Sequence, residues 1–309
     1  MESNLSTTKL VLKSDKLPLK TKNTISKVTR IISLIVIYVF LAAMAIIVIF
    51  PFYWMIITSL KTGEEIKALV PTFWPQIIMW SNYSSALSRL NFGTLLTNTF
   101  VVGIISTIGT LLTTIFAAFA FARLQFKGKD FVFSLLLGTM MIPGEMMVIS
   151  NYISVSLFGM TGGKNIAGGY AAMILPFMIS VFYIYLLRQN FKQIPNELYL
   201  AAKVDGKSDW AFLWKVMVPL AMPTLITIFI LKLMGAWNSY VWPNLIASGN
   251  KDLYLITNGL RETFNTASDI DDYGVQMAAT VIVTVPLLLL FIFFRKYIMR
   301  GVGRAGIKG

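Results

Sequence analysis

Six long apolar runs limit this chain more than any other feature. The first, Ile31 to Ile57, holds 27 residues with no charge. About 20 apolar residues span a bilayer, so this run crosses one with room to tilt. It is too long for the core of a signal peptide, and no small-residue cleavage site follows it promptly, so it reads as a retained first span. The other runs are Gly93–Ala122, Phe131 to about Leu157, Gly169–Asn190, Pro223–Trp242 and Val275–Phe294. Over the whole chain 56% of residues are hydrophobic and 13% charged. Soluble domains carry about a quarter charged residues. The expected fold class is therefore all-α integral membrane, with six transmembrane helices. The expected layout is a tail over 1–30, a six-span domain over 31–294 and a tail over 295–309.

Composition also removes chemistries. Cys and His are both absent, so there is no disulfide frame, no thiol chemistry and no Ser-His-Asp triad, and the commonest metal ligand is missing. No Gly-rich phosphate loop with Lys and Ser/Thr occurs, so the chain is not expected to bind ATP itself. The reading is of no catalytic residues, no metal and no enzyme; Asp271 and Asp272 are too weak a pair to revive one.

The net charge of +13 would suit nucleic acid if it were not so unevenly placed. The N-terminal stretch holds seven Lys and Arg, the loop after the second span three, the 191–218 region with its flanks five and the C-terminal tail five. The intervening loops hold three, one and two. The positive-inside rule puts both termini in the cytoplasm. Basic charge there faces anionic lipid and cytosol, and no nucleic-acid motif accompanies it. The tail with Lys9, Lys13, Lys16, Lys20, Lys22, Lys27 and Arg30 reads as solvated.

Loops and span interiors add detail. Thr58–Phe92, with Trp74, Trp80 and Tyr83, reads as an outer loop with an interfacial aromatic belt. Gly103, Ser106, Gly109, Thr113 and Ala117 give the second span a small face that lets other helices come close. Met141-Ile142-Pro143-Gly144 interrupts the third span. Freed backbone groups there need protein or water partners, so the region is expected to turn inward. The segment Pro243–Gly274 reads as an outer loop, acidic through Asp252, Glu262, Asp269, Asp271 and Asp272. Glu145 and Lys232 are ionisable groups within spans. Each either lines a polar path or serves structure, as an ion pair or, for Lys232, a snorkelling side chain.

Between the fourth and fifth spans lies a polar segment, Pro195–Pro223, PNELYLAAKVDGKSDWAFLWKVMVPLAMP. Asn196 can cap a helix, with Glu197 in its first turn. Glu197, Ala201 and Asp205 share a face. Gly206 stops the helix, and Ser208 can cap a second one running to about Val218.

This segment resembles the coupling loop of ABC-importer permeases, with Ala201, Ala202, Asp205, Gly206, Pro219 and Pro223 in register. Leu200 stands where the family has Glu, and Lys207 where it has a small residue. Other matches follow in order. AFAFAR with FKGK (Ala118–Arg123, Phe126–Lys129), Met141-Ile142-Pro143, Trp237-Asn238 and the tail Ala305–Gly309 resemble elements of the binding-protein-dependent carbohydrate group, the maltose-type family. Asn98 with Thr99 also fits this pattern.

The resemblance implies a permease subunit forming half of the translocation path of an ATP-driven sugar importer. It implies a cytoplasmic helix–Gly–helix loop over 191–218 that meets the ATPase through Glu197, Ala201, Ala202, Asp205 and Gly206. Glu145, Lys232 and Asn238 become path candidates. The implied partners are a second permease in a heterodimer, an ATPase dimer carrying ATP and Mg, an extracytoplasmic solute-binding protein and the lipid of a prokaryotic plasma membrane. A permease for an amino acid, polyamine or phosphorylated polyol is the alternative within the class. A stand-alone secondary transporter would show inverted repeats, and none stands out.

Overall fold

In the computed structural model the described residues are 19–161, 165–265 and 272–303, and they are helical almost throughout. The helices are α1 (Leu19–Ser59), α2 (Gly63–Lys67), α3 (Ser81–Arg89), α4 (Phe92–Ala122), α5 (Lys129–Thr139), α6 (Val148–Leu157), α7 (Ile166–Ile174) and α8 (Val181–Gln193). There follow α9 (Asn196–Val204), α10 (Asp209–Leu220), α11 (Met222–Trp237), α12 (Val241–Ala247), α13 (Ile256–Asn265) and α14 (Tyr273–Gly303). Residues up to Trp54 form one compact unit and those from Met55 onward another. Within the first unit α1 begins at Leu19, well before the apolar run, and Phe50 stacks on Trp54. Asp269, Asp271 and Ala305–Gly309 lie outside the described residues, as do the N-terminal lysines before Leu19.

Among the described residues three helices are long and apolar enough to cross a membrane, namely Arg30–Ser59, Phe92–Ala122 and Tyr273–Lys296. The third and fourth expected spans are each broken. Lys129–Thr139 meets Gly144–Leu157 at 84°, and Ile166–Phe177 meets Val181–Gln193 at 45°. The fifth, α11, has 16 residues and meets α10 at 75°. At 1.5 Å per residue α11 spans roughly 24 Å. It ends at Trp237; Trp242, expected inside this span, belongs to α12.

The breaks have visible causes. Pro176 has no N–H to offer Ala172 O, and Trp242 Nε1 donates to that carbonyl at 3.0 Å; the carbonyls left open where the first half of the fourth span stops are met by α4. Thr113 Oγ1 donates to Met178 O at 2.6 Å, and Thr110 Oγ1 lies 2.9 Å from Phe177 O. Hydroxyls of a neighbouring helix thus supply what a broken helix in lipid needs. The break at Met140–Pro143 is handled differently. It closes on itself through short-range bonds, Met141 N to Gly138 O and Ile142 N to Thr139 O. Because these groups are satisfied locally, the turn needs no interior partner. Met141, Ile142, Glu145 and Met146 are exposed on the chain, so the inward turn that the sequence suggested is not made into the chain's own interior.

Helix α4 is the axis of the second unit, packed by α8 on one side and α11 on another. The small face does the work expected of it. A Cβ on Gly103 would stand 2.9 Å from Leu233 Cδ1, and one on Gly109 would meet the Met178 side chain. Two buried clusters line this axis. One gathers Leu95, Val102, Trp237, Trp242, Ile246, Leu253, Ile256 and Phe264. The other gathers Ile115, Phe119, Leu187, Phe191, Phe212, Leu213, Met217 and Ile228. The first contains residues from the segments read as outer loops. Those segments are folded: α2 and α3 pack on α14, and α12 and α13 pack on α7 and α4.

Candidate coupling site and translocation cavity

The segment after α8 builds a helix–turn–helix. α9 starts with Pro195 at the cap position and Asn196 as its first helical residue, so Asn196 is not the N-cap. Its side chain is taken elsewhere, since Asn196 Oδ1 accepts from Arg123 Nη1 at 3.2 Å. The helix ends as the sequence indicates. Gly206 has φ +70°, its N–H bonds Lys203 O at 3.0 Å, and Lys207 N bonds Ala202 O at 2.8 Å. These two bonds make a Schellman motif, with the left-handed residue that Gly adopts without penalty. Ser208 Oγ then accepts from Ala211 N at 3.2 Å and starts α10. Pro219 offers no N–H to Lys215 O, and the turn before it widens into a π-helix over Leu213–Met217.

The two arms of this unit differ in anchoring. Phe212, Leu213 and Met217 of α10 are buried against α4 and α8. No residue of α9 is buried. Glu197 and Asp205 are exposed, as are Ala201 and Gly206, and Ala202 is half-buried. A Cβ on Gly206 would meet nothing within 4 Å. Leu200 is exposed at the position where the family pattern has Glu. Between the arms Lys203 Nζ lies 2.8 Å from Asp209, and Tyr199 donates to the same carboxylate at 2.7 Å. The Asp209 carboxylate holds the Lys203 ammonium above its ordinary range.

Arg123 fixes where α9 begins. From the end of α4 its guanidinium donates to Phe191 O at 2.9 Å and to Ile194 O, as well as to Asn196. Burial pushes it below the usual arginine range, while Tyr199 and Glu197 nearby pull the other way. Sequence reading used Arg123 only as a motif letter. Its signal was a cation directly after a long helix, beside carbonyls that need donors. A second cation was also missed: Arg188 is buried, donates from Nε to Phe121 O at 3.1 Å and lies 3.8 Å over the Phe133 ring.

The path candidates separate. Lys232 lines a cavity of about 330 Å³ between α4, α8 and α11, together with Ser106, Phe177, Tyr183, Ser239 and Trp242. Glu145 sits in the exposed turn after Pro143, and Asn238 is the exposed C-cap of α11; neither lines the cavity.

At the other end of α4, Asn98 Nδ2 donates to Asp252 O at 2.7 Å and Tyr254 O at 3.0 Å, and its Oδ1 accepts from Tyr170 at 2.5 Å. Thr99 Oγ1 accepts from Ile256 N at 2.9 Å. Both residues are buried.

The described residues thus combine long apolar helices with a helix–turn–helix whose first arm is uncovered in the chain. The family described as binding-protein-dependent transport system inner membrane component matches residues 19–304. The chain belongs to that family. Among its relatives, the lactose transport system permease protein of Rhizobium radiobacter is 29% identical over 86% of this permease and 94% of the relative. The arabinooligosaccharides transport system permease protein of Bacillus subtilis is 27% identical, over 87% and 94%. An inner membrane ABC transporter permease protein of Escherichia coli is 29% identical, over 91% and 98%. In fold, the permease is similar to a bacterial ABC transporter involved in the import of the acidic polysaccharide alginate. That likeness has a TM-score of 0.76 at 23% identity, covering 87% of the permease and 96% of the solved chain. The family is one of membrane transport components, not enzymes.

Proposed function

We propose that this permease forms half of the translocation path of an ATP-driven importer for a sugar or oligosaccharide. The observation that carries the reading is α9. Its ends are fixed by the Gly206 turn and the Arg123 bonds, yet it buries none of its residues in its own chain. A helix held in position and left uncovered suits a surface that another protein covers. In this reading the loop 191–218 is cytoplasmic and rests on an ATPase dimer that binds ATP and Mg. Glu197, Ala201, Ala202, Asp205 and Gly206 meet that partner, and exposed Leu200 makes an apolar contact where relatives of the family pattern have Glu.

The permease pairs with a second permease, and a solute-binding protein delivers substrate to the outer face. Closure of the ATPase rocks the two permeases as rigid bodies. The setting is a prokaryotic plasma membrane with both termini cytoplasmic, with tails over 1–30 and 295–309 around the spans of 31–294. Relatives named for lactose and arabinooligosaccharides favour a saccharide. A relative named for sn-glycerol-3-phosphate supports a second reading, a phosphorylated polyol. Lys232 is our candidate for the path, since it lines the cavity.

The test is purification from the native membrane in mild detergent. Recovery of an ATPase, a second permease and a binding protein, with ATP-dependent sugar uptake after reconstitution, is the expected result. A chain that purifies alone and transports without ATP overturns the reading.

A further inference from the structure

The cavity between α4, α8 and α11 has an unusual lining for a membrane interior. Its volume of about 330 Å³ falls within the range of small-molecule sites, roughly 300–1,000 Å³. Phe177, Tyr183 and Trp242 provide aromatic surface, and Ser106, Ser180 and Ser239 provide hydroxyls. Flat apolar faces and hydroxyl groups are what a sugar ring presents partners for. The cavity also holds a cation, Lys232, five positions before the end of α11.

Among the described residues that cation has no counter-charge. No Asp or Glu lines the cavity, and among the described residues Lys232 has no carboxylate partner. Its Nζ lies 5.4 Å from the centre of the Phe177 ring. A ring face softens the charge without neutralising it. The contact also shows that the ammonium reaches into the cavity and does not follow its stem to a lipid interface. An ammonium at membrane depth is costly and marks a place where something of opposite charge is expected.

We infer that the cavity receives the acid group of a saccharide on Lys232, so that the transported solute is a sugar carrying a carboxylate or a phosphate. This rests on the importer reading above. A neutral sugar leaves the half-buried ammonium unpaired throughout passage. An acidic one pairs it, and the pairing favours that substrate over its uncharged counterpart by the difference.

The test uses the complete importer, with both permeases, the ATPase and the binding protein, reconstituted in liposomes. The probes are mono- and disaccharides in matched neutral, uronate and 6-phosphate forms. The expected result is ATP-driven uptake of an acidic form, and the uronate and phosphate arms tell which acid it is. Lys232→Met then lowers that uptake by about tenfold or more, equivalent to at least 1.4 kcal/mol, while Lys232→Arg keeps most of it. Uptake of neutral forms alone overturns the inference and leaves the importer reading standing. Uptake of the probes that does not require ATP overturns the importer reading itself. Full uptake of the acidic form by Lys232→Met overturns the inference, because the charge is then not used. Loss of the second permease on purifying Lys232→Met also overturns it, since the counter-charge then belongs to that partner.

Discussion

Both ends of α4 hold on to a neighbouring segment's backbone, and they leave that segment in opposite states. At one end Asn98 and Thr99 bond the backbone of Asp252, Tyr254 and Ile256, and the held segment is buried with Trp242, Ile246 and Leu253. At the other end Arg123 bonds Phe191 and Ile194, and the helix it positions, α9, stays uncovered. The first end is complete within the chain. The second is placed but left uncovered by the chain. A buried polar contact of the first kind serves stability; one of the second kind serves geometry at a distance.

Breaking the uncovered end should do most to function and least to folding. Gly206→Asp is expected to abolish ATP-driven uptake while leaving insertion and detergent-extracted yield intact. A left-handed L-residue costs roughly 1–2 kcal/mol, too little to unfold the permease, and no atom of the chain stands near a Cβ there. Gly206→Asn sharpens the comparison, since Asn tolerates this backbone but still adds a side chain. If Asn and Asp both transport at the wild-type rate, the surface at Gly206 is not a contact.

Breaking the complete end should do the reverse. Asn98→Ala leaves the Asp252 and Tyr254 carbonyls and the Tyr170 hydroxyl without their partner. Each buried group left unpaired costs on the order of 1–3 kcal/mol, so a clear fall in thermal midpoint is expected. Uptake per correctly folded molecule should change little. An unchanged midpoint would mean that water enters and replaces the side chain.

Arg123→Ala falls between the two. It removes charge-assisted bonds to Phe191 O, Ile194 O and Asn196, with an expected stability loss of about 1.5–3 kcal/mol. The distinguishing readout is hydrogen exchange. Amides of residues 194–204 should exchange faster while those of 252–256 do not, and uptake per ATP hydrolysed should fall. Equal exchange at both ends would mean that Arg123 does not position α9.

What could be read in the sequence follows from range. The bounds of α4, expected from Gly93 and found from Phe92, come from a continuous apolar run. The stop at Gly206 and the cap at Ser208 are set by residues within a few positions, so they too were legible. Asn196 was misread because its true partner, Arg123, is far away in sequence. α13 was read as loop because Ile256–Asn265 is short and half polar; its burial depends on Thr99 and Leu95, which meet it only in three dimensions. The turn at Pro143 is not buried in its own chain for another reason. A proline frees backbone groups, but nothing in the sequence says whether a neighbour or the turn itself will satisfy them. Lys232 stood out as a charge within an apolar run. The rings and hydroxyls around it come from α4, α8 and the segments beside them, and no single stretch of sequence displays that company.

The smallest effect belongs to the contact that looks strongest on the loop. Lys203 and Asp209 lie 2.8 Å apart, joined by Tyr199, and bridge α9 to α10 across the Gly206 turn. Both charged groups are exposed, and exposed pairs lose most of their attraction to water and salt. With Lys203 raised and Asp209 lowered, the bridge contributes fully between about pH 3.8 and 10.5 and is lost only as pH falls below or rises above that window. Nothing in this bridge therefore titrates between about pH 6 and 8, and the chain has no His to do so. Lys203→Ala is expected to leave the thermal midpoint unchanged and uptake near wild type at both pH values. A marked loss of uptake with an unchanged midpoint would give Lys203 a role in the contact with the partner. The uncovered surface would then extend from the Glu197–Asp205 face of α9 onto the side that faces α10.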